Sequence, residues 1–155
     1  MSHETLGGYL REKGVNARIL IFENHTMTVE DAERELGVSR ERIIKSMLFT
    51  DEKGGPVMGV VTGDKRVDVK KLRAMCGAQA ISFTRPRAVK RLTGYEIGAL
   101  PPVGHKNLIR TFIDVKVMSF DRVYGGGGAI NALLEIDPKD IKTLTKAAVA
   151  NICKE

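Results

Sequence analysis

Apolar residues recur along the chain either in short runs or with helical spacing, and this pattern predicts an α/β protein. The short runs predict strands at 17–22, 43–49, 57–62, 80–83, 107–114 and 130–136, the first of them buried. Helical spacing and terminal signals predict helices at 4–13, 28–36, 68–75, 85–93 and 137–152. Thr28, Asp68 and Thr84 are predicted helix caps, and a glycine closes each of the first four helices.

Two of the predicted strands form a hairpin. The strands at 43–49 and 57–62 flank the turn Glu52–Pro56, whose Gly54-Gly55-Pro56 is typical of a tight reversal. A hairpin makes neighbouring strands antiparallel, so we expect a mixed sheet rather than a purely parallel one. No linker or internal repeat interrupts the 155 residues. We therefore predict one α/β domain over residues 1–155, with helices surrounding the sheet.

The charge of the chain favours anionic partners only weakly. The net charge is +6 and the isoelectric point is about 9.4. Basic residues group at 65–73 and at 85–91, where Arg87, Lys90 and Arg91 share one helical face. That spacing fits phosphate contacts and a solvated face equally well. With five Phe, three Tyr and no Trp, aromatic platforms for single-stranded bases are scarce.

The composition also predicts a compartment. Cys76 and Cys153 lack any partner motif, so we interpret them as reduced thiols packed in the core. The N-terminal residues contain no apolar leader, and apolar runs such as 19–22 are too short to cross a bilayer. We therefore expect a cytoplasmic protein that does not associate with membranes.

Motifs of metal, nucleotide and serine-hydrolase chemistry are missing. The sequence contains no H-E-x-x-H, no metal-spaced Cys/His cluster and no G-x-S-x-G elbow. The four-glycine run Gly125–Gly128 lacks the Lys-Ser/Thr of a P-loop. The three histidines are scattered, and we interpret His25 and His105 as structural or surface residues. We expect neither a metal nor a cofactor.

Lys45 interrupts a strand that is otherwise apolar on both faces. A strand covered on both sides hosts a lysine where the ammonium reaches a cleft or an edge. One interpretation is a lysine that protects an edge strand from aggregation. The other is a cationic group at the mouth of a pocket.

The loop from Thr93 to Gly104, TGYEIGALPPVG, combines glycines with two prolines. Glycine allows the backbone to approach a ligand closely, and proline lowers the entropy that binding would cost. Such a loop offers fixed backbone N–H and C=O groups for recognition, although a rigid connection between helix and strand has the same composition. Gly125–Gly128 forms either a second pocket wall or a flexible bend.

Three segments together resemble a known family. They are I-I-K-S-M-L-F around Lys45, V-V-T-G-D-K-R-V-D-V-K-K-L from Val60, and T-G-Y-E-I-G-A-L-P-P-V-G from Thr93. F-I-D, a glycine-rich turn and a final strand and helix follow. This order resembles the YbaK/prolyl-tRNA synthetase-associated editing domain family from about residue 20 to the end. The resemblance implies a mixed, partly barrel-like sheet and hydrolysis of mischarged aminoacyl-tRNA.

The resemblance also implies site residues. Lys45 matches the essential lysine of the family, and Gly98 and Pro102 match its substrate-pocket loop, so we predict catalytic roles for Lys45 and Gly98. The remaining predicted substrate-binding residues are Phe22, Met27, Ala99, Leu100, Pro101, Pro102, Gly126 and Gly127. The glycine run carries no polar side chain where some members have one, so only its backbone could act there.

The predicted partner is the acceptor end of an aminoacyl-tRNA, with a tRNA synthetase as a further candidate. A trans-acting deacylase that removes a small amino acid, such as cysteine or alanine on the tRNA for proline, is the first hypothesis. The alternatives are a non-catalytic tRNA- or synthetase-binding module of the same fold, and an unrelated small-ligand binding protein. The oligomeric state and the edited amino acid stay open.

Overall fold

The computed structural model describes all 155 residues as five helices and eight strands. The helices are α1 (His3–Lys13), α2 (Val29–Leu36), α3 (Val69–Cys76), α4 (Pro86–Thr93) and α5 (Pro138–Thr145). The strands are β1 (Arg18–Ile21), β2 (Ile44–Asp51), β3 (Pro56–Thr62), β4 (Ile81–Phe83), β5 (Arg110–Asp114), β6 (Val123–Gly126), β7 (Ala132–Ile136) and β8 (Ala148–Ala150). Single 3-10 turns occupy Arg40–Arg42, Ile97–Ala99 and Val115–Ser119.

The strands form two sheets, and the predicted hairpin is present. The larger sheet has the order β4-β2-β3-β5-β8, in which β2 pairs antiparallel with β3 and β4 while β5 pairs parallel with β3 and β8. The smaller sheet is antiparallel, with the order β1-β7-β6. A mixed sheet is thereby confirmed. A bridge between Ile43 and Tyr124 joins the two sheets. They do not close into a barrel, so the barrel-like description holds only loosely.

The five-stranded sheet is covered on both faces. The larger core cluster joins one face of this sheet to the small sheet and to α1, α4 and α5, through residues such as Leu48, Val89 and Leu134. The second cluster packs α3 and the C-terminal segment on the opposite face, through Leu72 and Ile152. Burial on both faces explains why β3 reads as one continuous apolar run.

Several predicted boundaries are confirmed by their capping geometry. The Thr28 hydroxyl accepts a hydrogen bond from the backbone of Asp31 at the start of α2, and the Asp68 carboxylate accepts two from the first turn of α3. Gly14, Gly37, Gly77 and Gly94 all adopt the left-handed conformation that ends a helix. The prediction for Thr84 is wrong: α4 begins at Pro86, and the Thr84 hydroxyl instead lies 2.6 Å from that of Thr50.

The largest correction concerns the C-terminus. The predicted helix 137–152 ends at Thr145, because Lys146 takes a left-handed conformation (φ 56°), and Ala148–Ala150 continue as β8 beside β5. Four smaller corrections follow. β1 lies at a sheet edge and is not buried, and Ile21 is 55% exposed. β5 begins at Arg110, β7 begins at Ala132, and the first two glycines of the run belong to β6.

Candidate active site

A cavity of about 570 Å³ lies where the two sheets meet. Its volume is in the range of a small-molecule or cofactor site. Its walls come from the start of β2, from α2 and the segment before it, from the β3–α3 loop 63–66, from the turn 97–100, and from β6 and β7. Nine of the 22 lining residues are hydrophobic, so the cavity combines an apolar wall with a polar one.

Lys45 lies on this cavity. It pairs with Val61 across the β2–β3 hairpin, and its ammonium donates a hydrogen bond to the backbone carbonyl of Lys65. Burial, and secondarily the nearby Arg66 guanidinium, lower the pKa of Lys45 below the ordinary value of a lysine. The hairpin register therefore fixes a partly dehydrated cation at the cavity wall.

Other charged side chains surround Lys45. The cations are Arg40, Lys65 and Arg66, and the carboxylates are Glu30 and Asp64. The Arg40 guanidinium contacts Glu33 at 2.9 Å and Glu30 at 3.7 Å, and the Lys116 ammonium lies 2.8 Å from Asp64. With four cations against two carboxylates, the charge favours an anionic ligand.

The turn 97–100 faces Lys45 from another side of the cavity. Gly98 packs closely on Met27: a side chain at Gly98 would lie within 3.1 Å of the Met27 methyl group. Leu100 is 5% exposed, and its backbone N–H donates no hydrogen bond within the chain. Because buried backbone donors are almost always paired, an unpaired N–H at a cavity wall is a candidate ligand contact.

The glycine run contacts the turn 97–100 directly. The N–H of Gly128 donates to the carbonyl of Ala99 at 2.9 Å, and the N–H of Gly127 donates to that of Ala132 at 3.1 Å. Any side chain at Gly126 would collide with the carbonyl group of Leu100. The absence of a Cβ at Gly126 therefore permits the close approach of the turn to β6.

The two prolines lie outside the cavity lining and are buried. Pro102 packs on Gly125, whose Cβ would lie 3.5 Å from the Pro102 ring. The carbonyl of Pro101 accepts a 2.6 Å hydrogen bond from the Nε2–H of His105. Burial lowers the pKa of His105, which keeps the ring neutral at neutral pH. These contacts fix the position of the turn.

The predicted site residues thus divide into two groups. Met27, Lys45, Gly98, Leu100 and Gly126 line the cavity. Outside the lining are Phe22, Ala99, Pro101, Pro102 and Gly127. Of these, Phe22 packs against Ala32, Ile43 and Leu133, which themselves line the cavity. The other four support the turn and β6 through the contacts described above.

Some cavity residues were not predicted. Ser46 lines the cavity with a buried hydroxyl that has no hydrogen-bond partner. Lys65 and Arg66 were noted only as part of a basic group. The hairpin could have indicated their position, because a strand pairing that places Val61 opposite Lys45 brings the next loop beside the start of β2. Ser46 gave no such signal.

Features away from the cavity add little to the site. The basic face of α4 does not line it, and the Lys90 ammonium lies 2.8 Å from Glu96. Cys76 and Cys153 form no disulfide and are buried, and burial raises the pKa of Cys153 to about 12.

No group of three His, Cys, Asp or Glu is placed to hold a metal ion. The longest helix has 11 residues, and none could span a membrane.

Comparison with known proteins identifies the family. The sequence model of the aminoacyl-tRNA editing domain matches residues 23–144, which include Lys45 and the whole turn 97–100. The chain belongs to the aminoacyl-tRNA editing domain family. The family resemblance predicted from the sequence is thereby confirmed.

Relatives of this editing domain are similar over most of the chain. YwhH of Bacillus subtilis, an uncharacterized protein, is 33% identical over 86% of this chain and 85% of its own length. A protein of Enterococcus faecalis named "Putative Cys-tRNA(Pro)/Cys-tRNA(Cys) deacylase EbsC" is 27% identical over 84% of this chain and 79% of its own length. A 90-residue segment, 58% of this chain, is 33% identical to 16% of a proline–tRNA ligase of Nitratidesulfovibrio vulgaris.

Solved structures show the same editing-domain fold. The hypothetical protein APE2540 superposes with a TM-score of 0.91 at 35% identity, covering 97% of this chain and 99% of its own. A "putative trans-editing enzyme for prolyl tRNA synthetase" also gives a TM-score of 0.91, at 29% identity over 99% of this chain and 97% of its own. The predicted family fold is thereby confirmed.

Proposed function

We propose that the protein is a trans-acting deacylase that hydrolyses the ester of mischarged aminoacyl-tRNA. The observation that carries this proposal is the placement of Lys45 and the Gly98–Leu100 turn on one cavity. The substrate class is that of relatives named as a deacylase of Cys-tRNA(Pro) and Cys-tRNA(Cys) and as a trans-editing enzyme for prolyl-tRNA synthetase. We infer a small amino acid, such as cysteine or alanine on the tRNA for proline, as the group removed.

The reaction needs little more than positioning, because an aminoacyl ester is already activated. Water attacks the ester carbonyl and an oxyanion forms. The bond from the carbonyl carbon to the ribose oxygen then breaks, and that oxygen takes up a proton as free tRNA and amino acid are released. The neighbouring ribose hydroxyl, or a second water, can relay the protons. No side-chain nucleophile is required.

The cavity supplies groups for this charge development. The unpaired N–H of Leu100 is a fixed donor for the oxyanion, and donors of this kind contribute about 3–4 kcal/mol in other acyl-transfer enzymes. Lys45 adds a partly buried positive charge, which acts more strongly than a solvated one. We assign Lys45 to electrostatic stabilisation of the terminal nucleotide or of the oxyanion, and Gly98 to the close approach of the turn.

A deacylation assay tests this function. The purified protein is incubated with tRNA for proline carrying cysteine, alanine or proline, and released amino acid is measured. We expect release of a small non-cognate amino acid and a loss of about 100-fold or more in Lys45→Ala. Lys53→Ala is the matched control, because Lys53 lies in the turn at the far end of the same hairpin.

Other outcomes distinguish the alternatives. Equal rates for Lys45→Ala and Lys53→Ala would remove Lys45 from the mechanism. Binding of charged tRNA without release would identify a non-catalytic tRNA-binding module. Neither binding nor release would favour a different small ligand for the cavity.

A further inference from the structure

The β3–α3 loop presents two cations that form no ion pair within the chain. Lys65 and Arg66 both line the cavity, and neither has an acidic partner within 4.0 Å. The two carboxylates on the cavity face other cations: Asp64 contacts the Lys116 ammonium at 2.8 Å, and Glu30 lies 3.7 Å from the Arg40 guanidinium. The positive charge of this loop is therefore available to a ligand.

The loop is held in place by its backbone. The N–H of Gly63 donates to the carbonyl of Arg40 at 3.1 Å, and the carbonyl of Arg66 accepts from the N–H of Lys154 at 2.9 Å. A side chain at Gly63 would lie 2.6 Å from the Arg40 carbonyl oxygen, so the loop packs tightly on the turn before β2. A bridge between Val67 and Cys153 ties down its far end. Such a loop loses little conformational entropy when it binds a ligand.

The same loop contacts Lys45. The Lys45 ammonium donates to the backbone carbonyl of Lys65, and Arg66 is near enough to lower the pKa of Lys45. An anion bound by Lys65 and Arg66 would therefore lie beside the lysine that we assign to the ester. It would also reduce the repulsion between the Lys45 and Arg66 charges.

We propose that Lys65 and Arg66 bind the phosphate on the 5′ side of the terminal nucleotide of the substrate tRNA. This inference rests on the proposed function. In an aminoacyl-tRNA the ester and this phosphate are attached to the same ribose, so an ester at Lys45 brings the phosphate to the adjacent loop. A guanidinium binds phosphate through two parallel hydrogen bonds, and the ammonium adds a point charge. The pair positions the terminal nucleotide without reading its base.

Two minimal substrates isolate the phosphate. One is an alanyl ester on the ribose of adenosine, and the other is the same ester on adenosine 5′-monophosphate. We expect the wild-type protein to have a higher kcat/KM for the phosphate-bearing ester by about 10–100-fold, as for charge-assisted contacts to one anion. In Lys65→Gln/Arg66→Gln the ratio of the two kcat/KM values should fall toward one. These substitutions leave the Lys65 carbonyl in place for Lys45.

The matched control is Lys53→Gln/Lys139→Gln, which removes the same charge from two exposed positions that do not line the cavity. It should keep the wild-type ratio. A ratio unchanged in the loop variant, or lowered equally in the control, would overturn the assignment.

A binding measurement separates this inference from the proposed function. Adenosine 5′-monophosphate and adenosine are titrated against the wild-type protein and the loop variant by calorimetry. We expect the wild-type protein to prefer the monophosphate, and the loop variant to lose that preference. If this holds while no ester is hydrolysed, the phosphate site stands and the deacylase proposal fails. If esters are hydrolysed but adenosine and its 5′-monophosphate bind equally, the phosphate site fails and the deacylase proposal stands.

Discussion

A single missing side chain shapes the cavity wall. At Gly126 the carbonyl group of Leu100 occupies the space that a Cβ would fill. The turn that carries the unpaired Leu100 N–H can therefore lie directly on β6, where neighbouring hydrogen bonds fix it. The contribution of this glycine is steric and concerns the position of a backbone donor, not the chemistry of a side chain.

Gly126→Ala tests this steric role. The added methyl group must push the turn away from β6, so we expect deacylation to fall by at least 10-fold and the free energy of unfolding to fall by about 1–3 kcal/mol. Gly8→Ala is the matched control: Gly8 lies in α1, a Cβ there meets nothing closer than 3.9 Å, and alanine favours a helix by about 0.5–1 kcal/mol. Rates and urea unfolding are measured for both. Equal activity in the two variants would contradict the role of Gly126.

His105 makes stability depend on pH. Burial lowers its pKa in the folded protein, so the unfolded chain binds a proton more readily. The contribution of a neutral His105 to stability is therefore complete above the usual histidine pKa of about 6.5 and is lost as pH falls through the lowered value. We expect a decrease of up to about 1.4 kcal/mol per pH unit in that window, and a smaller decrease in His105→Gln. Urea unfolding at pH 7.5 and 5.5 measures both, and identical pH dependence would contradict this.

The site residues that the sequence alone predicts are those whose type is unusual in its local context. Lys45 stood out in an apolar strand, and Gly98 stood out in a loop of glycines and prolines. Ser46, Lys65 and Arg66 look ordinary in sequence, because their significance depends on tertiary contacts. Ser46 matters through an unpaired hydroxyl, and the two cations matter because the carboxylates on the cavity contact other cations. Neither property is local.

At the scale of whole elements, local signals predicted the helices well where caps were present. Thr28 and Asp68 cap α2 and α3 as predicted, because a side chain and a backbone N–H within three residues decide the boundary. The C-terminal segment was predicted wrongly, because Ile141, Leu144, Ala148 and Ile152 fit the helical period. Residues of β8 instead pair with β5, from which they are separated by more than 30 residues in sequence. This tertiary pairing overrides the helical pattern.

Ile152 tests the packing of the C-terminal segment on β3. The residue is fully buried in the second core cluster, and its side chain packs against Gly59 of β3. We expect Ile152→Ala to lower the free energy of unfolding by about 2–4 kcal/mol. Ile130→Ala is the control, since Ile130 is 40% exposed and should change stability by about 0.5 kcal/mol or less. Urea unfolding of both variants gives the difference, and similar values would place Ile152 outside the core.

At the scale of the whole molecule, the cavity belongs to neither sheet alone. β2 supplies Lys45, β6 supplies Gly126, and the segments between them supply the charged loop and the turn. The Ile43–Tyr124 bridge is the backbone pairing that joins the sheets at this place. A ligand in the cavity would therefore contact both sheets and stabilise their relative position.

A stable substrate analogue tests this coupling between the sheets. In alanyl-3′-aminoadenosine 5′-monophosphate an amide replaces the ester, so the protein binds it without rapid turnover. At 100 times its Kd the analogue should raise the free energy of unfolding by about 2.7 kcal/mol in a single transition. Hydrogen exchange should slow in both β2 and β6, because the cavity lining includes residues of each strand. Protection confined to β2 would show that the ligand occupies only the charged side of the cavity, and the proposed contact with the Leu100 N–H would then be wrong.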